Sequence, residues 1–128
     1  MDIYAEYQAI MEAYKEKIVS PLAAKSEQRA FPRLKIKTRD LWVNHSPEFA
    51  LEDISASGIA LRSNEPMDPG LVLNISIGTS LNVEATVVGS RMLHAPDMYT
   101  DGEFLITCQF VEDLTGMKMV VEAVNHQA

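Results

Sequence analysis

Cysteine is nearly absent from this chain of 128 residues: Cys108 is the only one. An internal disulfide is therefore excluded, and the composition fits a reducing cytosol. Within Phe104-Leu105-Ile106-Thr107-Cys108 the thiol reads as a small core residue rather than a nucleophile, because free cysteine is among the most buried residue types. No apolar run approaches the ~18 residues that a membrane span requires, and Met1 to Gln8 carries no cationic segment of the kind that opens a secretory signal. Internal repeats and low-complexity segments are lacking. So are a phosphate-cradling glycine loop and any metal-ligand spacing. His45, His94 and His126 stand far apart, and no set of metal-binding carboxylates and histidines can be assembled for a phosphodiesterase. His45-Ser46 precedes Pro47 in a polar setting that suits a turn. His126, two residues from the end, reads as a frayed, solvated terminus. Trp42, Tyr4, Tyr7 and Tyr14 read as packing residues. These absences argue against an enzyme and against a bound metal or cofactor.

Basic residues are also in deficit, with 11 Lys and Arg against 18 Asp and Glu and a net charge of −7. A general binder of DNA or RNA is usually basic. The distribution is more telling than the sum. Six of the 11 cations (Lys25, Arg29, Arg33, Lys35, Lys37 and Arg39) fall within 15 positions, where Glu27 is the only acid before Asp40. An acidic protein with one cationic stretch can favour a small anion locally while repelling polyanions. Lys35 and Lys37 alternate with Leu34 and Ile36 and suit a solvated strand face. Arg29 and Arg33 lie before that alternation begins.

What is present is apolar content of 47% with 23% charged residues, the composition of one ordinary globular domain. Ile3, Tyr7, Ile10, Tyr14 and Ile18 recur at helical spacing, which predicts a helix over residues 3–19 ended by Ser20-Pro21. That helix suits either a dimer seam or partner-docking element, or a segment packed on its own domain. Residues 21–30 read as a polar, cationic linker.

From Leu34 the period changes to two. Leu34, Ile36 and Thr38 alternate with lysines, and Leu41 to Asn44 continues that strand or begins another. Phe49 to Ile54 and Gly58 to Ser63 flank a turn. Asp68-Pro69-Gly70 precedes the alternation of Leu71, Leu73, Ile75 and Ile77. Gly78-Thr79 suits a hairpin before Leu81, Val83, Ala85 and Val87. A polar loop from His94 to Gly102 leads to Phe104, Ile106, Cys108 and Phe110. Asp113 can cap a short final helix with Leu114, Met117, Val121 and Val124 on one face. Many short strands with glycine turns predict an antiparallel barrel, since closure removes strand edges, and the final helix is placed to plug one end.

Two motifs carry the chemistry. Arg29-Ala30-Phe31-Pro32-Arg33 sets two arginines four apart, and Pro32 disfavours a helix there, so they belong to an extended arm entering the first strand. Each guanidinium is a planar five-donor fork that suits phosphate oxygens or guanine O6 and N7, and it can stack on a purine. Asp53-Ile54-Ser55-Ala56-Ser57-Gly58 sets a carboxylate and a hydroxyl in a turn. A carboxylate can accept from guanine N1–H and N2–H₂, donors that adenine lacks on that edge. Gly58 suits a left-handed turn or a close backbone approach. The same six residues also describe a β-turn stabilised by its own side chains.

Together, in this order and between strands, the two motifs resemble the ligand-binding signature of PilZ domains, bacterial receptors for cyclic di-GMP. The resemblance runs from Gln28 to about Val124 and includes Gly58-Ile59-Ala60-Leu61, Pro69-Gly70 and Cys108-Gln109-Phe110-Val111. It implies a mainly β fold: a six-stranded antiparallel PilZ-type β-barrel, here with an N-terminal helix and a short C-terminal helix. The N-terminal helix is outside the resemblance: residues 1–24 read as an N-terminal helical extension, and 25–128 as the PilZ domain with the arginine-bearing arm at its start. The resemblance implies a non-catalytic, cytoplasmic cyclic di-GMP receptor in which Arg29, Arg33, Asp53, Ser55 and Gly58 contact the ligand. Its partners would be cyclic di-GMP and a downstream protein, with no DNA, no RNA and no membrane span, and the helix offers a homodimer seam. The alternative is an adaptor that keeps the barrel with weak or no cyclic di-GMP binding. Gln28 stands where the family often has a further arginine, which leaves open whether one ligand or an intercalated pair is bound.

Overall fold

The computed structural model describes residues 2–14, 18–19, 32–38, 40–78 and 81–127, with the side chains of 18–19 outside the description. Arg29, the rest of the linker, Arg39 and Thr79 lie outside the described residues.

Helix α1 spans Ile3–Ala13. Asp2 caps it, its Oδ1 accepting from the Tyr4 amide at 3.0 Å, which satisfies one of the free amides of the first turn. The helix is shorter than the spacing predicts. Tyr14 ends it, and Ile18–Val19 forms β1 instead, paired antiparallel with Leu34 and Arg33 of β2 (Arg33–Leu34). Two β-branched residues gain a strand partner there that helical periodicity cannot foresee.

The remaining strands are β3 (Leu41–Val43), β4 (Ala50–Ile54), β5 (Gly58–Ser63), β6 (Val72–Ile77), β7 (Leu81–His94) and β8 (Glu103–Phe110). Among the described residues they form one antiparallel sheet in the order β1-β2-β4-β5-β8-β7-β6-β3, curled into a half-barrel. Six of these strands, β3 to β8, have three or more residues. Positive φ at Asn44 and His45 turns the chain tightly after β3, so His45-Ser46 is the turn expected of it. Gly70, at φ 92°, adopts a backbone region that side chains disfavour.

The period-two alternation is read out as burial. Leu34, Ile36, Val43, Ile54, Ile59, Leu61, Leu73, Ile75, Ile77, Val87 and Ile106 point inward and are buried. Each such side chain contributes about 1.5–3 kcal/mol by leaving water. Helix α2 (Asp113–Asn125) lies against β6, β7 and β8, and α1 packs on α2. The buried face of α2 centres on Gly116, Met119, Val120 and Ala123, while Leu114 and Val124 are only partly buried. Its N-cap is Glu112, extended and without a side-chain capping bond. Asp113 is already helical, where its carboxylate complements the partial positive charge of the first turn.

Tyr7 and the partly buried Ile10, Met11 and Tyr14 place α1 against its own domain's core. Tyr4 and Trp42 are exposed rather than packed, Trp42 because it occupies the outward position of β3. His126 is not a frayed end. Its carbonyl accepts from Thr38 Oγ1 at 2.8 Å, its Nε2 lies 3.4 Å from Glu122 and its Nδ1 3.9 Å from Asp40. A bridge between Thr38 and Gln127 ties this tail to the segment leaving β2.

Candidate functional site

Leu34 of β2 and Ile54 of β4 are register partners and both point into the core. Alternation then directs Arg33 and Asp53, one residue away on each strand, to the outer face. They meet there: Arg33 Nε donates to Asp53 Oδ1 at 2.5 Å, with side chains only 12% and 17% exposed. Half-burial makes this pair less screened than a surface ion pair. The two motifs, 20 residues apart in sequence, thus converge on one place. Arg29 lies outside the described residues.

A β-bulge between Leu51 and Asp53 inserts Glu52 into β4. An extra residue re-aims the side chains beside it, and two consecutive acids reach cations at this face. Glu52 accepts from Arg62 Nε at 2.5 Å and from Lys35 Nζ at 3.0 Å, and Arg62 reaches Glu103 at 2.8 Å. The Arg62 hydrogen bond, chiefly, holds the Glu52 carboxyl below the usual carboxylate range, with Lys35 adding to it. Between residues 35–38 and 49–52, with Arg62 alongside, lies an open groove of about 700 Å³. Sequence reasoning missed Glu52, Arg62 and Glu103. The available signal was weak: Arg62 is at an alternating position of β5, on the strand next to the bulged acid.

Ser55 and Gly58 build the turn itself. Ser55 is fully buried. Its Oγ accepts from the amides of Ser57 and Gly58, both at 3.2 Å, and lies 3.1 Å from Ser57 Oγ. The Ser55 amide donates to the Gly58 carbonyl at 2.8 Å. The hydroxyl is therefore engaged inside a turn held by its own side chains. Gly58 serves a close backbone approach, not a left-handed turn. A Cβ there would collide with the Cys108 carbonyl oxygen on β8, and only glycine fits so near a neighbouring backbone. Cys108 is buried, and burial pushes its thiol up to about 11, which suits a core residue and not a nucleophile. Among the described residues no group of three or more His, Cys, Asp or Glu is placed to hold a metal ion, and no helix is long and apolar enough to cross a membrane.

Fold and site together define a mainly β half-barrel, helical at both termini, with an arginine–carboxylate cluster on its outer face beside a self-bonded serine–glycine turn. The PilZ domain matches residues 27–123, and the chain belongs to the PilZ domain family. The structure is similar to that of K. pneumoniae MrkH in its complex with c-di-GMP, with a TM-score of 0.54 at 15% sequence identity. The likeness covers 77% of this chain and 53% of MrkH, so the chain spans about half the length of that structural relative. At that identity the likeness is one of fold. No curated protein matches the chain.

Proposed function

We propose that this PilZ protein is a non-catalytic, cytoplasmic receptor for cyclic di-GMP. The observation that carries the reading is the meeting of Arg33 and Asp53 on the outer face. One group suits phosphate or the guanine O6 and N7 edge, and the other suits guanine N1–H and N2–H₂. Membership of the family and the fold shared with MrkH, whose structure is a c-di-GMP complex, support it.

In this reading Arg29 and Arg33 grip the ligand from the arm and Asp53 reads the base. Ser55 and Gly58 act by holding the turn that presents Asp53. Among the described residues the ion pair uses one nitrogen of Arg33 and one oxygen of Asp53, so each keeps further hydrogen-bonding capacity for a ligand. Residues 1–24 form an extension to the domain of 25–128. Ligand binding orders the arm and thereby alters the surface that α1 offers to a protein partner or to a second copy. Differential contact in the two states is the physical route for such a change.

Calorimetric titration tests this. The wild type binds cyclic di-GMP in preference to cyclic di-AMP. Arg29→Ala and Arg33→Ala each weaken binding by about 1.5–3 kcal/mol, the range for hydrogen bonds to charged groups. Hydrogen exchange falls over residues 25–34 and changes over 3–19 when ligand is added. Equal binding of the two dinucleotides, or unchanged affinity in both folded arginine variants, sinks the assignment.

A further inference from the structure

The turn from Asp53 to Gly58 has two sides. Asp53 lies on the outer face, while Ala56 at the apex is fully buried. What lies behind Ala56 comes from both ends of the chain. Gly116, in the first half of α2, approaches the Ala56 backbone so closely that a Cβ on it would overlap the Ala56 carbonyl and stand 2.8 Å from its Cα. Glycine is disfavoured inside a helix relative to alanine. Its place in α2 is explained by this approach, which no other residue permits. Tyr7 of α1 is 2% exposed and belongs to the same buried cluster as Ala56, and its hydroxyl is buried near the Ala56 backbone without a well-formed hydrogen bond among the described residues. The Phe110 amide at the end of β8, three residues before α2, donates to the Ser57 carbonyl at 3.0 Å. The turn is thus backed by both helices and tied to the strand that leads into one of them.

We propose that Gly116 and Tyr7 are positioning residues for the ligand turn, setting from behind where Asp53 stands and so how well the site holds and discriminates a guanine dinucleotide. This rests on the cyclic di-GMP reading above. Backbone against backbone is unyielding, because neither the Ala56 carbonyl nor the α2 main chain can rotate aside as a flexible side chain can. A methyl group at position 116 must displace the turn or the helix. Displacement of the turn is transmitted through the Ser55–Gly58 hydrogen bonds to β4, where Asp53 pairs with Arg33. The same contacts join the turn to α1 by a route that does not pass through the arm.

Gly116→Ala and Tyr7→Leu test this beside Leu73→Ala, a cavity variant of a fully buried β6 residue away from the turn. Hydrogen exchange on ligand-free protein reads the turn directly. In the first two variants the Ser55, Gly58 and Phe110 amides should exchange at least tenfold faster, with the β6–β7 amides unchanged. Cyclic di-GMP affinity should fall at least tenfold, and its preference over cyclic di-AMP should narrow. Leu73→Ala should lower the melting temperature while keeping that preference. If Gly116→Ala does not fold, Tyr7→Leu decides. Turn exchange and dinucleotide preference no different from Leu73→Ala overturn the proposal. If the wild type does not bind cyclic di-GMP, the receptor reading fails and the exchange rates alone decide whether the two residues position the turn.

Discussion

Removing one member of the Arg33–Asp53 pair should cost more stability than removing both. The pair sits at 2.5 Å with side chains 12% and 17% exposed, between two known regimes. Exposed ion pairs contribute about 0–1 kcal/mol. Stripping one partner from a fully buried pair costs about 3–5 kcal/mol, because the other charge is left unpaired. Asp53→Ala strands the guanidinium beside β4 with little water, and a loss of about 2 kcal/mol follows from interpolating between those limits. Adding Arg33→Leu removes the stranded charge, and the coupling across the double-mutant cycle should be about 1–2 kcal/mol. Urea denaturation of the wild type, both single variants and the double variant measures it. Screening weakens interactions between exposed charges far more than between partly buried ones, so most of the coupling should persist in high salt. A coupling below about 0.5 kcal/mol, or one abolished by salt, is the signature of an ordinary surface pair. Either result would refute the view that the two motifs lock together before a ligand arrives.

Gly58→Ala should destabilise the protein by about 1–3 kcal/mol, the cost of overpacking, seen as a lower urea midpoint; an unchanged midpoint would show that β5 and β8 separate freely at Cys108. The Glu52 carboxyl is lowered in the folded state by Arg62 and then Lys35. Its contribution is therefore full above the ordinary carboxylate pKa and is lost as pH falls through the lowered one. Glu52→Gln should flatten that acid limb of the stability–pH curve, and an unaltered limb would remove the network from the account. The Cys108 thiol, pushed up to about 11 by burial, should resist alkylation at pH 8 in folded protein and react on unfolding. Fast labelling of the native state would contradict its placement in the core.

Much of this protein is legible in its sequence. Alternation at Leu73, Ile75 and Ile77, and at Val83, Ala85 and Val87, told which face of each strand would be buried, because a strand's side chains alternate by geometry alone. Proline and glycine marked the turns for equally local reasons, as at Gly70 with its φ of 92°. The two motifs were visible as residue types suited to one ligand. Neighbours in space were not. Helical spacing carried α1 past Ala13, but pairing with Leu34 and Arg33 made Ile18–Val19 a strand. Ser55 has a hydroxyl suited to a ligand, yet burial turned it into the brace of its own turn. A bulge in β4 brought Glu52 among Lys35 and Arg62. Gly116 and Tyr7, 109 positions apart, came together behind Ala56 only because two helices pack there. Local pattern states which groups seek burial and where the chain must bend. Which of them meet is decided by packing, a property of the whole chain that no stretch of the sequence contains.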